Sequence, residues 1–245
     1  MISMAEGKSF FVDTTKFTAC RGCQVACKQW NQRAGEKTYS QGSHQNPPDL
    51  SANTWKVVRF SEAVGEKVNW YFFPDQCRHC VSPPCKDVAE GKAKGAVIQD
   101  EKTGAVIFNP KVKTKPEDFK EIRESCPYNI PRISGAGIMA KCTMCFDRIK
   151  EGMLPACVKT CPTGTMNFGD RKTILDMANK RLAEAKTTYK NAVLTDPNDI
   201  RVIFLLVDDP KKYHKTAVAE NSIGITRKVA LKRILKPLKE FQWLG

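Results

Sequence analysis

The sequence predicts an α+β fold: two small cysteine-built modules with small antiparallel sheets and short helices, followed by a helical C-terminal extension. Three observations carry that expectation. Ten of the eleven cysteines fall in short runs, the last of which ends at Cys161. Strand-sized apolar stretches precede or separate the runs, and past Asp170 a helical period of apolar residues replaces them. With 245 residues, 41% of them hydrophobic, the chain has material enough for such an interior.

In chain order, residues 9–12, 55–60 and 68–73 read as strands, and 96–98 with 105–108 as a pair joined by a turn ending at Gly104. Residues 39–50, rich in Ser, Gln, Asn and Pro, read as a loop. Residues 117–124 read as a helix introduced by Pro116, whose fixed φ suits a first helical turn. Leu175, Ala178, Leu182 and Ala185 recur at helical spacing with Asp170 as their cap, and 201–207 reads as a buried strand. Residues 226–241 set Val229, Ile234, Leu235 and Leu238 against Lys228, Lys232, Lys236 and Lys239, a basic amphipathic helix that Pro237 kinks or ends. Such a helix docks on its own domain or lies on a partner or lipid surface. The expected division is residues 1–50 with 135–170 as a first module, 51–134 as a second, and 171–245 as a helix–strand–helix extension.

The formal charge of +14 suggests an acidic partner such as nucleic acid. Part of the surplus has a nearer use, because Arg21, Lys28, Arg78, Lys86, Lys141, Arg148 and Lys159 lie within or beside cysteine runs. Positive side chains offset the cost of burying an anionic metal–thiolate group. The longest apolar run, 202–207, is far short of the roughly 20 residues that span a bilayer. Residues 1–13 contain Glu6 and Lys8 and lack the continuous apolar core of a secretory signal, so export is expected only on a partner's signal. The odd cysteine count, without such a signal, argues against a disulfide framework. No G-x-G-x-x-G, P-loop or G-x-S-x-G is present.

The cysteines run Cys20-x2-Cys23-x3-Cys27, Cys77-x2-Cys80-x4-Cys85, then Cys126-Pro127, then Cys142-x2-Cys145-x11-Cys157-x3-Cys161-Pro162. Runs with a terminal Cys-Pro are how bacterial ferredoxins hold 4Fe–4S clusters, the last cysteine of a run ligating the other cluster. By that crossing rule Cys27 joins Cys142, Cys145 and Cys157 on one cluster, and Cys161 joins Cys20 and Cys23 on another. Cys77, Cys80 and Cys85 have only Cys126 left, which makes a third. Val88 and Ala89 stand where a crossing cysteine would follow Cys85, and Arg123 and Phe119 supply no soft ligand before Cys126, so a fourth cluster is missing. Both modules are therefore expected to be ferredoxin-like, with three clusters in all.

A full C-x2-C-x2-C-x3-C run ending at Cys27 would begin at residue 17, which is phenylalanine. Three thiolates suffice for a 3Fe–4S cluster; the alternative is a 4Fe–4S cluster with an oxygen ligand, for which Asp13 is the local carboxylate. Zinc competes for the C-x2-C pairs, as in a nucleic-acid-binding module, but the x3, x4 and x11 spacings and Cys-Pro termini fit zinc ribbons poorly. His79 lies inside a cysteine loop, where a hydrogen bond is the simpler role, and His44 and His214 are isolated. Trp30, Trp55, Trp70, Phe72 and Phe73 read as core residues that keep water from the clusters.

The stretches CRGCQVACKQWN, PDQCRHCVSPPC, ESCPYNIPR, GSHQNPPDL and KCTMCFDRIKEGMLPACVKTCPTGTMNFGD resemble the iron–sulfur (beta) subunits of tungsten- or molybdenum-containing formate dehydrogenases. The resemblance covers about residues 8–210. It implies a non-catalytic electron-transfer subunit beside a large W/Mo bis-pterin subunit that oxidises formate. The acceptor it implies is a cytochrome c, a ferredoxin or a membrane subunit, with no nucleic acid involved. Membrane-bound relatives add a transmembrane helix and a fourth cluster, and the soluble type is often periplasmic by co-export, a cytoplasmic location being the alternative. Sister subunits serving polysulfide, thiosulfate or nitrate reductases share the wider pattern. Phe17 stands where relatives carry their first cysteine.

Overall fold

The computed structural model describes residues 6–65 and 67–219. The helix expected over 226–241 lies outside the described residues. Strand β1 (Lys8–Asp13) ends in a 3-10 turn, Thr14–Lys16, capped by the Asp13 carboxylate accepting from Thr15 N–H at 3.1 Å. Helix α1 (Gly22–Trp30) follows, and residues 31–56 form neither helix nor strand. Strands β2 (Val57–Val64) and β3 (Val68–Asp75) make a hairpin whose base is buried and whose far end is exposed.

The second cysteine run leads into α2 (Pro84–Lys92), then the hairpin β4 (Val97–Gln99) and β5 (Val106–Phe108), then α3 (Pro116–Glu124). Pro116 opens α3 where its missing N–H costs no hydrogen bond. The turn before β5 needs glycine. Gly104 has φ +73°, and a Cβ there would collide with the Arg201 guanidinium. A two-residue pair, β6 (Arg132–Ile133) with β7 (Met139–Ala140), precedes α4 (Phe146–Lys150) and α5 (Ala156–Lys159).

The chain then supplies β8 (Met166–Asp170), α6 (Arg171–Lys186), β9 (Val193–Leu194), β10 (Val202–Leu206) and α7 (Pro210–Tyr213). The largest sheet has the order β8-β1-β10-β9. Its β1–β8 and β10–β9 pairs are antiparallel, but β1 and β10 run parallel, with Phe10 opposite Val202 and Asp13 opposite Leu205. The segment after residue 170 is thus part of the central sheet, and that sheet is mixed instead of purely antiparallel. All five residues of β10 are buried, which only an inner strand permits.

Alternate residues of β1 and β10 serve two interiors, as strand geometry dictates. Phe11, Ile203 and Leu205 pack with Ile174, Leu175 and Ala178 of α6. Phe10, Val12, Val202, Phe204 and Leu206 join the cluster that contains Cys23 and Cys157. Asp170 occupies the N-cap of α6 but makes no cap bond, because its carboxylate pairs with Lys8 at 2.7 Å. Trp30 and Trp70 are not core residues: they are 41% and 42% exposed. Trp30 ends α1, donates to Asp147 at 2.7 Å and carries Arg148 on its face, while Trp70 lies in the outer half of the hairpin against Phe72. Phe73, at the hairpin base, is fully buried.

Candidate metal centres

The packed helices α1 and α5 each contribute to two cysteine groups. Cys23 and Cys27 lie one turn apart in α1; Cys157 is in α5, and Cys161 follows its end. Burial, then the charges of Cys142, Cys157 and Cys145, pushes the Cys27 thiol well above its ordinary pKa. Burial pushes the Cys23 thiol up to about 11, with Lys56 opposing and Cys157, Cys20 and Cys161 reinforcing. Cys27 thus has Cys142, Cys157 and Cys145 about it, and Cys23 has Cys157, Cys20 and Cys161.

Cys77, Cys80, Cys85 and Cys126 line one cavity, with Arg78 and Lys141 as the charged side chains on its wall. Burial, then Cys126, Cys77 and Cys85, drives the Cys80 thiol well up. The three groups adjoin. Burial and then Cys77 raise the Cys142 thiol to about 12, which puts the Cys77 group next to the Cys27 group, and Cys157 likewise links Cys27's group to that of Cys23. Cys20 is exposed and Cys161 is partly so, which places the third group at the surface. The Cys161 thiol is lowered: burial works against the charged form, and the backbone at Met166 with the Thr163 hydroxyl outweighs it.

The loops share a backbone device. His79 and Met144, each directly before the second cysteine of a C-x2-C pair, adopt positive φ of 47° and 63°. Each turns its N–H to the first cysteine's sulfur at 3.4 Å, His79 to Cys77 and Met144 to Cys142. Strained backbone of this kind is concentrated at functional sites. Ala19, directly before Cys20, has φ 53°, so the loop opened by Phe17 keeps the same left-handed bend although residue 17 carries no sulfur. Phe17 packs, partly buried, on the apolar cluster that holds Cys23 and Cys157. Asp13 is committed elsewhere: Oδ1 accepts from Thr15, and Oδ2 from Arg181 Nε at 3.0 Å.

The His79 ring turns from the sulfurs, Nδ1 accepting the Val106 N–H at 3.0 Å, and burial holds its pKa well below the usual value. The His44 ring lies 5.6 Å from the Trp70 ring, and burial lowers His214 to about 4. The second module has no counterpart of the crossing cysteines. Ala89 stands four residues after Cys85 as Cys27 does after Cys23, and Ile122 four before Cys126 as Cys157 does before Cys161. Both are buried in an apolar cluster with Phe119 and Val97. The spacing of Ile122 matches better than that of Arg123, which bonds Asn129 at 2.8 Å.

The donor chemistry suits iron–sulfur groups. Among the described residues no three Cys, His, Asp or Glu side chains close in on a single ion. Lone tetrahedral zinc, with Zn–S bonds of about 2.3 Å, would draw its sulfurs to within about 3.8 Å of one another. Here four thiols and the cations Arg78 and Lys141 line one cavity, a soft-donor set with positive charge beside it that fits an anionic iron–sulfur group. Two residues that spacing did not mark stand out. Lys56 is 2% exposed and donates to Gln76 beside Cys77, and Lys141, noted only as one of several basic neighbours, is 4% exposed. An isolated lysine far from any cysteine in sequence carries no local signal of its place.

Comparison with known proteins agrees with this chemistry. Residues 68–171 match the family described as a 4Fe-4S dicluster domain. The chain is 53% identical over 214 residues to the formate dehydrogenase subunit beta of Megalodesulfovibrio gigas, covering 86% of this chain and 99% of that protein. It is 54% identical to the formate dehydrogenase 2 subunit beta (cytochrome c-553) of Nitratidesulfovibrio vulgaris, covering 86% and 98%. The formate dehydrogenase-O iron-sulfur subunit of Escherichia coli is 38% identical over 211 residues, covering 83% and 68%.

Proposed function

The chain belongs to the iron–sulfur (beta) subunits of formate dehydrogenases, non-catalytic electron-transfer subunits, and from that premise we propose that it relays electrons from a W/Mo bis-pterin catalytic subunit through three iron–sulfur sites to an external acceptor. Clusters at these sites would take up and release single electrons. The residues do the rest: thiols from remote segments hold the metal, apolar side chains such as Met144, Phe73 and Phe204 exclude water, and buried cations offset negative charge. The observation that carries the reading is the convergence of Cys77, Cys80, Cys85 and Cys126 on one cavity, since Cys126 is 41 residues beyond Cys85 in sequence.

In this reading two sites take 4Fe–4S clusters, at Cys77/Cys80/Cys85/Cys126 and at Cys27/Cys142/Cys145/Cys157. Cys20, Cys23 and Cys161 take a 3Fe–4S cluster. The retained bend at Ala19, the apolar Phe17 and the committed Asp13 carboxylate support the three-iron form. The surface position of this group favours it as a port to a partner. The Nitratidesulfovibrio relative's name includes cytochrome c-553, and a c-type cytochrome is the acceptor proposed here. A periplasmic location reached by co-export with the catalytic subunit goes with that acceptor. Among the described residues no helix is long and apolar enough to cross a membrane.

Iron and sulfide analysis of anaerobically purified protein tests the reading, with low-temperature EPR of the oxidised state. Eleven irons per chain, from two four-iron groups and one three-iron group, and an oxidised three-iron signal are expected. A colourless, iron-free protein overturns the electron-transfer reading; twelve irons without that signal overturns the three-iron assignment alone.

A further inference from the structure

Lysine ammonium is a compact, strongly hydrated charge, so burying one without an anion is costly. Lys56 and Lys141 are the two buried lysines among the described residues. Neither has a carboxylate partner there. Lys56 donates to the neutral side-chain amide of Gln76, and Lys141 to the main-chain carbonyls of Val106 and Cys142, with its ammonium 4.8 Å from the Phe108 ring centre. The buried arginines of the same region are treated differently: Arg59 and Arg78 both pair with Asp75, and Arg132 with Asp49.

What surrounds each lysine is sulfur. Lys141 lines the cavity shared by Cys77, Cys80, Cys85 and Cys126. Lys56 is fully enclosed, its hydrogen bond goes to Gln76 next to Cys77, and Cys23, Cys157, Cys142 and Cys27 are the charged groups about it. An interior lysine with no carboxylate, set among thiolate ligands, has its counter-ion in the metal group those ligands hold.

We propose that Lys56 and Lys141 are the fixed counter-cations of the bound clusters, dividing the sites between them: Lys141 acts on the Cys77 group, and Lys56 on the Cys23 and Cys27 groups together. A cluster gains one negative charge on reduction, so a fixed cation favours the reduced form and raises the potential. The proposal rests on the cysteine groups holding clusters, and its test is read separately from that premise.

The test uses the full-length, cluster-loaded chain in its native complex, with Lys→Met and Lys→Arg variants at each position. Iron content and EPR-monitored redox titration are the readouts. Lys141→Met is expected to weaken the reduced form of the Cys77-group cluster at least tenfold, 59 mV for a one-electron couple, and to leave the other potentials in place. Lys56→Met shifts the other two instead, and each Lys→Arg variant stays near the unmodified protein. If a Met variant loses its iron while the Arg variant keeps it, the required charge is likewise established. Fully loaded Met variants with unchanged potentials overturn the proposal, as do equal shifts or equal iron loss in Met and Arg variants. Absence of iron from the unmodified protein overturns the premise instead.

Discussion

At the scale of single residues, Asp49 shows how charge fastens the long irregular segment 31–56 to the rest of the molecule. Its carboxylate meets Arg59 of β2 at 2.6 Å and Arg132 of β6 at 2.7 Å. Partial burial alone would raise its pKa, but the hydrogen bond and charge of Arg59, then the charge of Arg132, hold it below the usual carboxylate range. A lowered folded-state pKa contributes stability above the unfolded value of about 3.9, lost as pH falls through the folded value. Asp49→Asn is therefore expected to cost about 1 kcal/mol near neutrality, screening at this half-exposed site being counted. Between pH 5 and pH 3 the unmodified protein should lose more stability than the variant, measured by urea titrations run side by side so that any acid loss of clusters is common to both. The cysteines were legible in sequence because ligation fixes their spacing and chemical type together. Lys56 was not, because a counter-charge needs only proximity in space, and proximity leaves no spacing to read.

At the scale of elements, the strands and helices that announce themselves by local pattern came out near their expected bounds. Residues 9–12 lie within Lys8–Asp13, 117–124 within Pro116–Glu124, and 201–207 around Val202–Leu206. What local pattern did not carry was partnership. The parallel pairing of β10 with β1 joins residues about 190 apart and has no turn to declare it. The indole rings misled for a related reason: hydrophobic mass near a cysteine run says nothing about which way a helix end or hairpin arm faces. Strand β10 also packs on the β2–β3 hairpin, since Phe204 meets Phe73 of β3 with ring centres 4.5 Å apart. Phe204→Ala is expected to cost about 3–5 kcal/mol by leaving a cavity at this fully buried position. Earlier loss of visible absorbance on urea titration would measure it, and a surface change such as Val64→Ala on the exposed hairpin arm should leave the midpoint within error.

At the scale of the whole molecule, the proposed Cys27 group neighbours both of the others, Cys77 acting on its Cys142 and its Cys157 acting on Cys23. Under the proposed relay, a serial order would make that group indispensable to traffic in either direction. Cys145→Ser is expected to confine formate-driven reduction to one side of the break, so that rapid-freeze EPR shows one outer group reduced and the other left oxidised. Reduction of both outer groups at the unmodified rate would contradict the linear order. The place of β10 has a consequence in time as well as space. A ribosome working at 5–20 residues per second needs roughly 10–40 s to travel from β1 to β10. Throughout that interval one edge of β1 waits bare for its neighbour, and Cys27 waits for sulfurs not yet made. The Cys77 group has all its thiols once Cys126 is made, whereas the groups of Cys20 and Cys27 wait for the run that ends at Cys161, so the earliest thiols of the chain stay unligated longest.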